Sequence, residues 1–307
     1  MWLSEEEGGL NEEYFEFFTR FTKDEVRKLA RLIDPPTKFT IDLRSGFPNT
    51  STSSPEESLL VFLWCCTHPL SLGYIMPFFG KSRPWISRVW NGVLDDIIES
   101  WGERITLDRQ MMSPERIEAA IGNSLGDNSI FDFIDGTEVH VCQPGEEDQR
   151  PFWSGHKKQH ALGHLSIILP NGLFGAVFTG LPSAGGDATL CIEVGLREKL
   201  QDLLSFLPEG QNSFVYGDAV FGSQWGVLGP YKNSRSQTIT PSQRALNQWL
   251  STKRIVVEYG FGAIKENFKL PSYFRVLEVG LCPVAGYGIF IELSSLFMRG
   301  ESNVNEI

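Results

Sequence analysis

Three acidic residues lie where a charge needs a reason. Asp135 closes the apolar run Phe131-Asp132-Phe133-Ile134-Asp135, and a carboxylate in such a strand is costly to bury unless it is paired or holds a metal ion. Asp132, three residues earlier, falls on the opposite face by strand alternation and is a poor partner for it. Asp218 repeats the pattern after Phe214-Val215-Tyr216-Gly217, and carboxylates at strand ends stand where α/β sheets place their sites. Glu258 lies in a helical stretch, with Arg254 one turn before it and Lys265 two turns after it. That spacing lets Arg254 orient the carboxylate and Lys265 reach a nearby phosphate. Three oxygen ligands from separate elements suit hard cations such as Mg²⁺ or Mn²⁺. Two such ions about 4 Å apart would activate an attacking oxygen and stabilise a leaving one during in-line displacement at phosphorus.

Elements able to position these acids can be read from periodicity. Asn11 to Leu32 reads as helix, Pro35 to Pro55 as a loop, and Glu56 to Trp101 as three helices with breaks near His68-Pro69 and Gly80-Lys81. Beyond Met112 the texture changes to strands over Ser129–Cys142, His160–Leu169 and Leu173–Leu181, then a helix over Asp187–Leu204. A strand over Ser213–Val220 and a helix from about Ser242 to Phe268 complete the order. Three hairpin-connected strands, a helix, another strand and a carboxylate-bearing helix is the order of a ribonuclease-H-like α/β fold, a mixed sheet flanked by helices. The expected organisation is an all-helical N-terminal domain over 1–120, a catalytic domain over 121–300 and a tail over 301–307. Gly260 and Gly262 inside the last helix each cost about 1 kcal/mol against alanine, for which a close backbone approach would compensate.

Composition narrows the class. Hydrophobic residues make up 41% of the 307, enough for one large core or two modest ones. Five cysteines form no C-x-x-C pair, which argues against a disulfide framework or thiolate zinc and fits a reducing compartment. The longest apolar run, Leu59 to Cys66, is far too short for a membrane span, and the acidic start is unlike a signal peptide, so no membrane partner is expected. A net charge of -11 runs against phosphate binding, although much of the excess is local to Glu5–Glu7, Glu12, Glu13 and Glu16.

Basic residues mark two candidate surfaces for double-stranded DNA. Phe79-Gly80-Lys81-Ser82-Arg83-Pro84-Trp85 reads as the turn and second-helix start of a helix-turn-helix-like segment, with Lys81, Arg83 and Arg88 toward phosphates. The same layout also serves a three-helix bundle for packing alone. His156, Lys157 and Lys158 form a second patch near the acids, with an ordinary solvated loop as the bland alternative. His156, His160 and His164 have helical zinc spacing, but the stretch alternates like a strand, so they are not expected to converge. Asp187, after two glycines and before an apolar helical run, reads as an N-cap.

At these residues the sequence resembles the PIF/Harbinger superfamily of transposases, of the DDE endonuclease type related to bacterial IS5 elements, and most closely its fungal members. Ile134-Asp135-Gly136-Thr137 is similar to that family's first-aspartate strand and Tyr216-Gly217-Asp218 to its second. Asn247, Arg254, Glu258, Phe261, Gly262 and Lys265 resemble its third-acid helix, and Trp153-Ser154-Gly155-His156-Lys157-Lys158 with His160 the loop before its second strand. Gly185-Gly186-Asp187-Ala188 resembles the turn before its first helix, and Phe15 to Trp101 its N-terminal half. Gly186 departs from a usual histidine and Trp153 from a usual tyrosine; neither change removes a metal ligand. The resemblance implies metal-dependent hydrolysis at transposon ends, strand transfer into target DNA, a nuclear location, a homo-oligomer that holds two ends together, and a Myb-like DNA-binding partner protein. Such a partner would accommodate the acidic charge. Two other readings remain: a domesticated, catalytically silent derivative that binds DNA or chromatin, and a hydrolase using two carboxylates as acid and base, which would need a sugar-stacking cleft.

Overall fold

The computed structural model describes the chain except residues 1–2, 4–8, 43–47, 111, 124–129, 147–148, 209–212, 223–225, 235–237 and 271–307. The described residues form two compact units, one comprising those up to Gly102 together with 265–270, the other running from Glu103 to Ile264.

The first unit opens with α1 (Glu12–Thr19), capped by the Asn11 side chain accepting from the Tyr14 amide, and α2 (Lys23–Ile33), begun by a Thr22/Glu25 capping box. Arg20 in the left-handed region (φ 67) separates them, so the single helix expected over Asn11–Leu32 is two. The stretch expected to be a loop carries a hairpin instead, β1 (Lys38–Asp42) paired antiparallel with β2 (Pro48–Thr52). The unit is therefore not all-helical, as the sequence reading had it. Next come α3 (Pro55–Thr67), α4 (Leu72–Phe79) and α5 (Arg83–Thr106), with Ser54 capping α3 and Gly80 (φ 62) ending α4. α3 is buried along most of its length, and Trp64 on it stacks on Phe18 at 4.0 Å.

The second unit takes in the end of α5, then α6 (Pro114–Asn123), and is built on a mixed sheet. Its strands are β3 (Ile130–His140), β4 (Trp153–Ser154), β5 (Gln159–Ile168), β6 (Phe174–Pro182), β7 (Phe214–Tyr216) and β8 (Val227–Leu228). Central β3 pairs antiparallel with β5 and parallel with β7; β5 pairs antiparallel with β6, and β7 parallel with β8. The resulting order, β6-β5-β3-β7-β8, is consistent with the ribonuclease-H-like fold expected from the element order. Two-residue β4 adds to the start of β5.

Helices cover both faces of this sheet. α7 (Gly186–Glu193) and α8 (Leu196–Leu203) stand where one helix was expected, because Gly195 between them is left-handed (φ 60). Leu190 of α7 fills the space that a Cβ on Gly163 would take, and Leu196, Leu200 and Leu203 extend a core shared with Phe131, Ile134, Leu165 and Val215. The opposite face receives α9 (Pro241–Asn267), where Gly260 leaves room for Phe174 and Ile168 and Phe261 meets Phe174 at 5.8 Å. The glycine in mid-helix thus permits the close approach that its sequence position called for.

Candidate active site

β3 is buried over its first five residues and becomes half-exposed at Asp135, where the acids collect. Asp135 stands directly across from Ser166 on β5. Asp218 follows β7, the parallel neighbour of β3, so two adjacent parallel strands deliver a carboxylate at the same edge. Close approach is built in at Gly217, where a Cβ would strike Phe221 and Ile134. The Gly217 amide donates to the Leu228 carbonyl at 2.9 Å, and Asp218 Oδ1 accepts from the Val220 amide at 2.8 Å, which fixes the turn after the strand.

Arg254 on α9 joins the third acid to the first. Its Nη1 donates to Asp135 Oδ2 at 3.1 Å, and its Nη2 lies 3.8 Å from Glu258 Oε1. The i, i+4 pair expected from the sequence is present, but the shorter interaction is with Asp135, a partner that helix spacing cannot reveal. Burial pushes the Asp135 carboxyl up from its ordinary value; the Arg254 guanidinium and the Gly136 amide oppose this, and the negative charge of Asp218 adds to it. Burial also raises the Tyr216 hydroxyl, with Arg254 and a hydrogen bond to Ser251 pulling it down.

Asp187 belongs to this site and was misread from the sequence. It does not cap α7: the N-cap is Gly185, without a side-chain cap hydrogen bond, and Asp187 sits inside the first turn. Its carboxylate occupies the space over Gly136 that any side chain there would fill. Burial, then the charges of Asp135, Asp218 and Glu138, push its carboxyl up to about 6, with Lys157 pulling the other way. A cue was present in the sequence, a glycine directly after Asp135, but only the packing of α7 on β3 gives it meaning.

The basic candidates are placed as follows. His156, Lys157 and Lys158 are exposed in the turn between β4 and β5. His160 meets the edge of Trp153 at 5.1 Å, while His164 is buried on β5, so the three histidines are on different parts of the hairpin. In the first unit, Lys81 pairs with Glu57 at 3.2 Å and lies 4.6 Å over the Trp85 ring. Arg88 donates from Nε to Ser51 Oγ at 2.8 Å, and Trp85 from Nε1 to the Thr52 carbonyl at 3.1 Å. The hairpin thus occupies part of the helix face read as helix-turn-helix-like, leaving Arg83 exposed. Lys265 lies in the last turn of α9 and accepts, through its carbonyl, a hydrogen bond from Lys269 Nζ at 3.1 Å.

Carboxylate oxygens are the donors that a hard divalent cation selects. The charges of Asp135 and Asp218 raise the proton affinity of Asp187, and that of Asp218 raises the proton affinity of Asp135, a repulsion that such a cation would relieve. Among the described residues no three groups converge closely enough to hold one ion as they stand, and the Arg254 guanidinium supplies positive charge between Asp135 and Glu258.

Residues 134–277 match the DDE superfamily endonuclease family, a span that takes in Asp135, Asp187, Asp218, Arg254 and Glu258. A search of curated proteins gave no match. Among solved structures, the chain is similar to the piggyBac transposase in a synaptic complex with hairpin DNA, at 11% identity and a TM-score of 0.43, over 93% of this chain and 74% of that one.

Proposed function

We propose that this chain is a DDE-type transposase of the PIF/Harbinger kind, cutting DNA and transferring strands with Asp135, Asp218 and Glu258 as its metal-holding acids. The observation that carries the reading is the placement of Asp135 midway along β3, where its buried half ends, and of Asp218 just beyond its parallel neighbour β7, with Glu258 tied to Asp135 through Arg254, inside the segment that matches the endonuclease family. Mg²⁺ or Mn²⁺ held there would supply Lewis-acid activation of the attacking oxygen and neutralise charge on the leaving one. In hydrolysis a P–O bond forms to water as the bond to the 3′-oxygen breaks; in strand transfer a DNA 3′-hydroxyl takes the place of water.

The protein's own residues do three things in this scheme. Asp135 and Asp218 present oxygen donors from a rigid sheet edge, Arg254 orients Asp135 and Glu258, and the basic turn at His156, Lys157 and Lys158 takes DNA phosphate. Lys265, and Lys81, Arg83 and Arg88 in the first unit, are further candidate phosphate contacts. A net charge of -11 fits reliance on a Myb-like partner for DNA recognition and nuclear import, and the joining of two transposon ends calls for an assembly of at least two copies.

The test is cleavage of labelled duplex DNA carrying the element's own ends, with and without the partner, in Mg²⁺, Mn²⁺ or EDTA, by wild type and Asp218→Asn. Metal-dependent cleavage that the variant lacks supports the reading. Binding without cleavage under every condition overturns it and leaves the catalytically silent derivative.

A further inference from the structure

The turn bearing His156, Lys157 and Lys158 is exposed at its tip and tied down at its base. Ser154, at the end of β4, is 1% exposed, and its Oγ donates to Glu138 Oε2 on β3 at 2.8 Å. The same oxygen accepts the Lys157 amide at 3.2 Å, so a single hydroxyl joins the strand, the turn and the lysine. On the other side Ser183 Oγ lies 2.8 Å from the Ala161 carbonyl and 3.2 Å from that of Phe152, while the Ala184 amide donates to the Pro151 carbonyl at 3.1 Å. Ser183 and Ala184 lead directly into α7 and Asp187. Both roots of the turn are therefore fastened to segments that carry site acids.

We propose that Ser154 and Glu138 are positioning residues that latch the 155–158 turn to the acid-bearing strand, so that Lys157 stands ready to take a DNA phosphate next to the one under attack. This inference rests on the endonuclease reading above. A lysine on a loose loop must be ordered when substrate binds, at a cost in affinity; a turn already fixed at its base avoids most of that cost. Lys157 is also close enough to act electrostatically on Asp187, which places its ammonium at the margin of the acids. Glu138 has a structural use here, as the hydrogen-bond acceptor for Ser154, that needs no metal.

Cleavage kinetics and the salt dependence of binding on a short duplex carrying the element's own end, with Mn²⁺ and the partner protein, test the latch. Lys157→Ala lowers the slope of log affinity against log salt by about 1. Ser154→Ala raises KM by about fivefold to tenfold while kcat stays within about twofold, the pattern of lost substrate positioning without loss of chemistry. Glu138→Ala behaves as Ser154→Ala, whereas Glu138→Gln, which keeps an acceptor for the hydroxyl, stays within about twofold of wild type in both constants. Hydrogen exchange at the Lys157 amide, faster in Ser154→Ala at unchanged global stability, shows that the latch has opened without unfolding. The latch is overturned if Ser154→Ala and Glu138→Ala keep wild-type KM and salt slope, or if they lower kcat alone. Wild-type protein that, with the partner protein and Mn²⁺, neither binds nor cuts the element's own ends overturns the endonuclease reading first, and this inference with it.

Discussion

Two aspartates on one strand show how differently the halves of β3 are used. Asp132 lies in the buried first half, 3% exposed, and burial pushes its carboxyl well above the ordinary value, with Arg116 only partly opposing. Asp135, three residues on, stands where the strand opens, hydrogen-bonded to Arg254 and adjacent in charge to Asp218. Residue type and element are shared, yet burial works against the charged form of one acid, while the other is kept accessible with a fixed counter-charge. Burial alone makes a carboxyl inert; an opening, a guanidinium and a second acid make it available to a cation.

Replacing the two aspartates in turn is the strongest challenge to that contrast. Asp135→Asn is expected to lower metal-dependent cleavage on the order of a thousandfold or more, while Asp132→Asn leaves it within about twofold; equal losses from both, at equal thermal stability, would erase the distinction. Arg254→Gln separates orientation from ligation and is expected to cost about 10- to 100-fold in activity or metal affinity, read by metal titration of the cleavage rate. Gly136→Ala forces a methyl into the Asp187 carboxylate and is expected to cost about 1–3 kcal/mol in denaturant unfolding. Asp187→Ala on that background should recover most of the loss, and a double-mutant cycle would report the coupling.

The smallest effects are in pH dependence. Asp132 and Asp187 both have carboxyls raised from 3.8 in the folded chain, so each contributes stability that is complete below 3.8 and is lost as pH rises through the folded value, about 6 for Asp187. Metal-free protein should therefore melt at lower temperature as pH is raised from 4 to 7. Asp132→Asn and Asp187→Asn should each flatten that slope, and divalent metal should oppose the parts due to Asp187 and to Asp135, whose carboxyl is also raised, but not the part due to Asp132. A slope unchanged in Asp187→Asn would place its carboxylate outside the acid cluster.

Much of the sheet was legible because its strands announce themselves. β3, β5 and β6 carry apolar runs, and Asp135 within β3 and Asp218 just after β7 interrupt that pattern, which is what drew notice to them. α9 was found nearly to its ends, Pro241–Asn267 against the expected Ser242–Phe268. The errors come from tertiary facts. Asp187 looks like a cap until α7 is laid over Gly136, and the partner of Arg254 at Asp135 is 119 residues away. The β1–β2 hairpin was lost in a stretch rich in Pro, Ser and Thr, although Phe39 and Ile41 alternate within it as strand residues do. Arg20 ends α1 in a left-handed conformation uncommon for its residue type, and the break was marked in the sequence only from its far side, by the Thr22/Glu25 capping box that begins α2.

Gly260 bears on which cation this chain can use. Any side chain at that position would meet Phe174 at 3.2 Å, tighter than ordinary packing, and the Phe174 ring or α9 would have to give by a few tenths of an ångström. Glu258 and Arg254 ride on the same helix two and six residues earlier, so where the helix gives, the third acid would recede from the strand-borne pair by a comparable amount. Metal sites are discriminating at about ±0.2 Å, and Mg²⁺ tolerates misfit less well than larger ions do. The missing methyl at Gly260 therefore acts as a gauge block between helix and sheet, and if the proposed site holds Mg²⁺ or Mn²⁺, Gly260→Ala should favour Mn²⁺ over Mg²⁺ in metal titrations of the cleavage rate, with every proposed ligand still present.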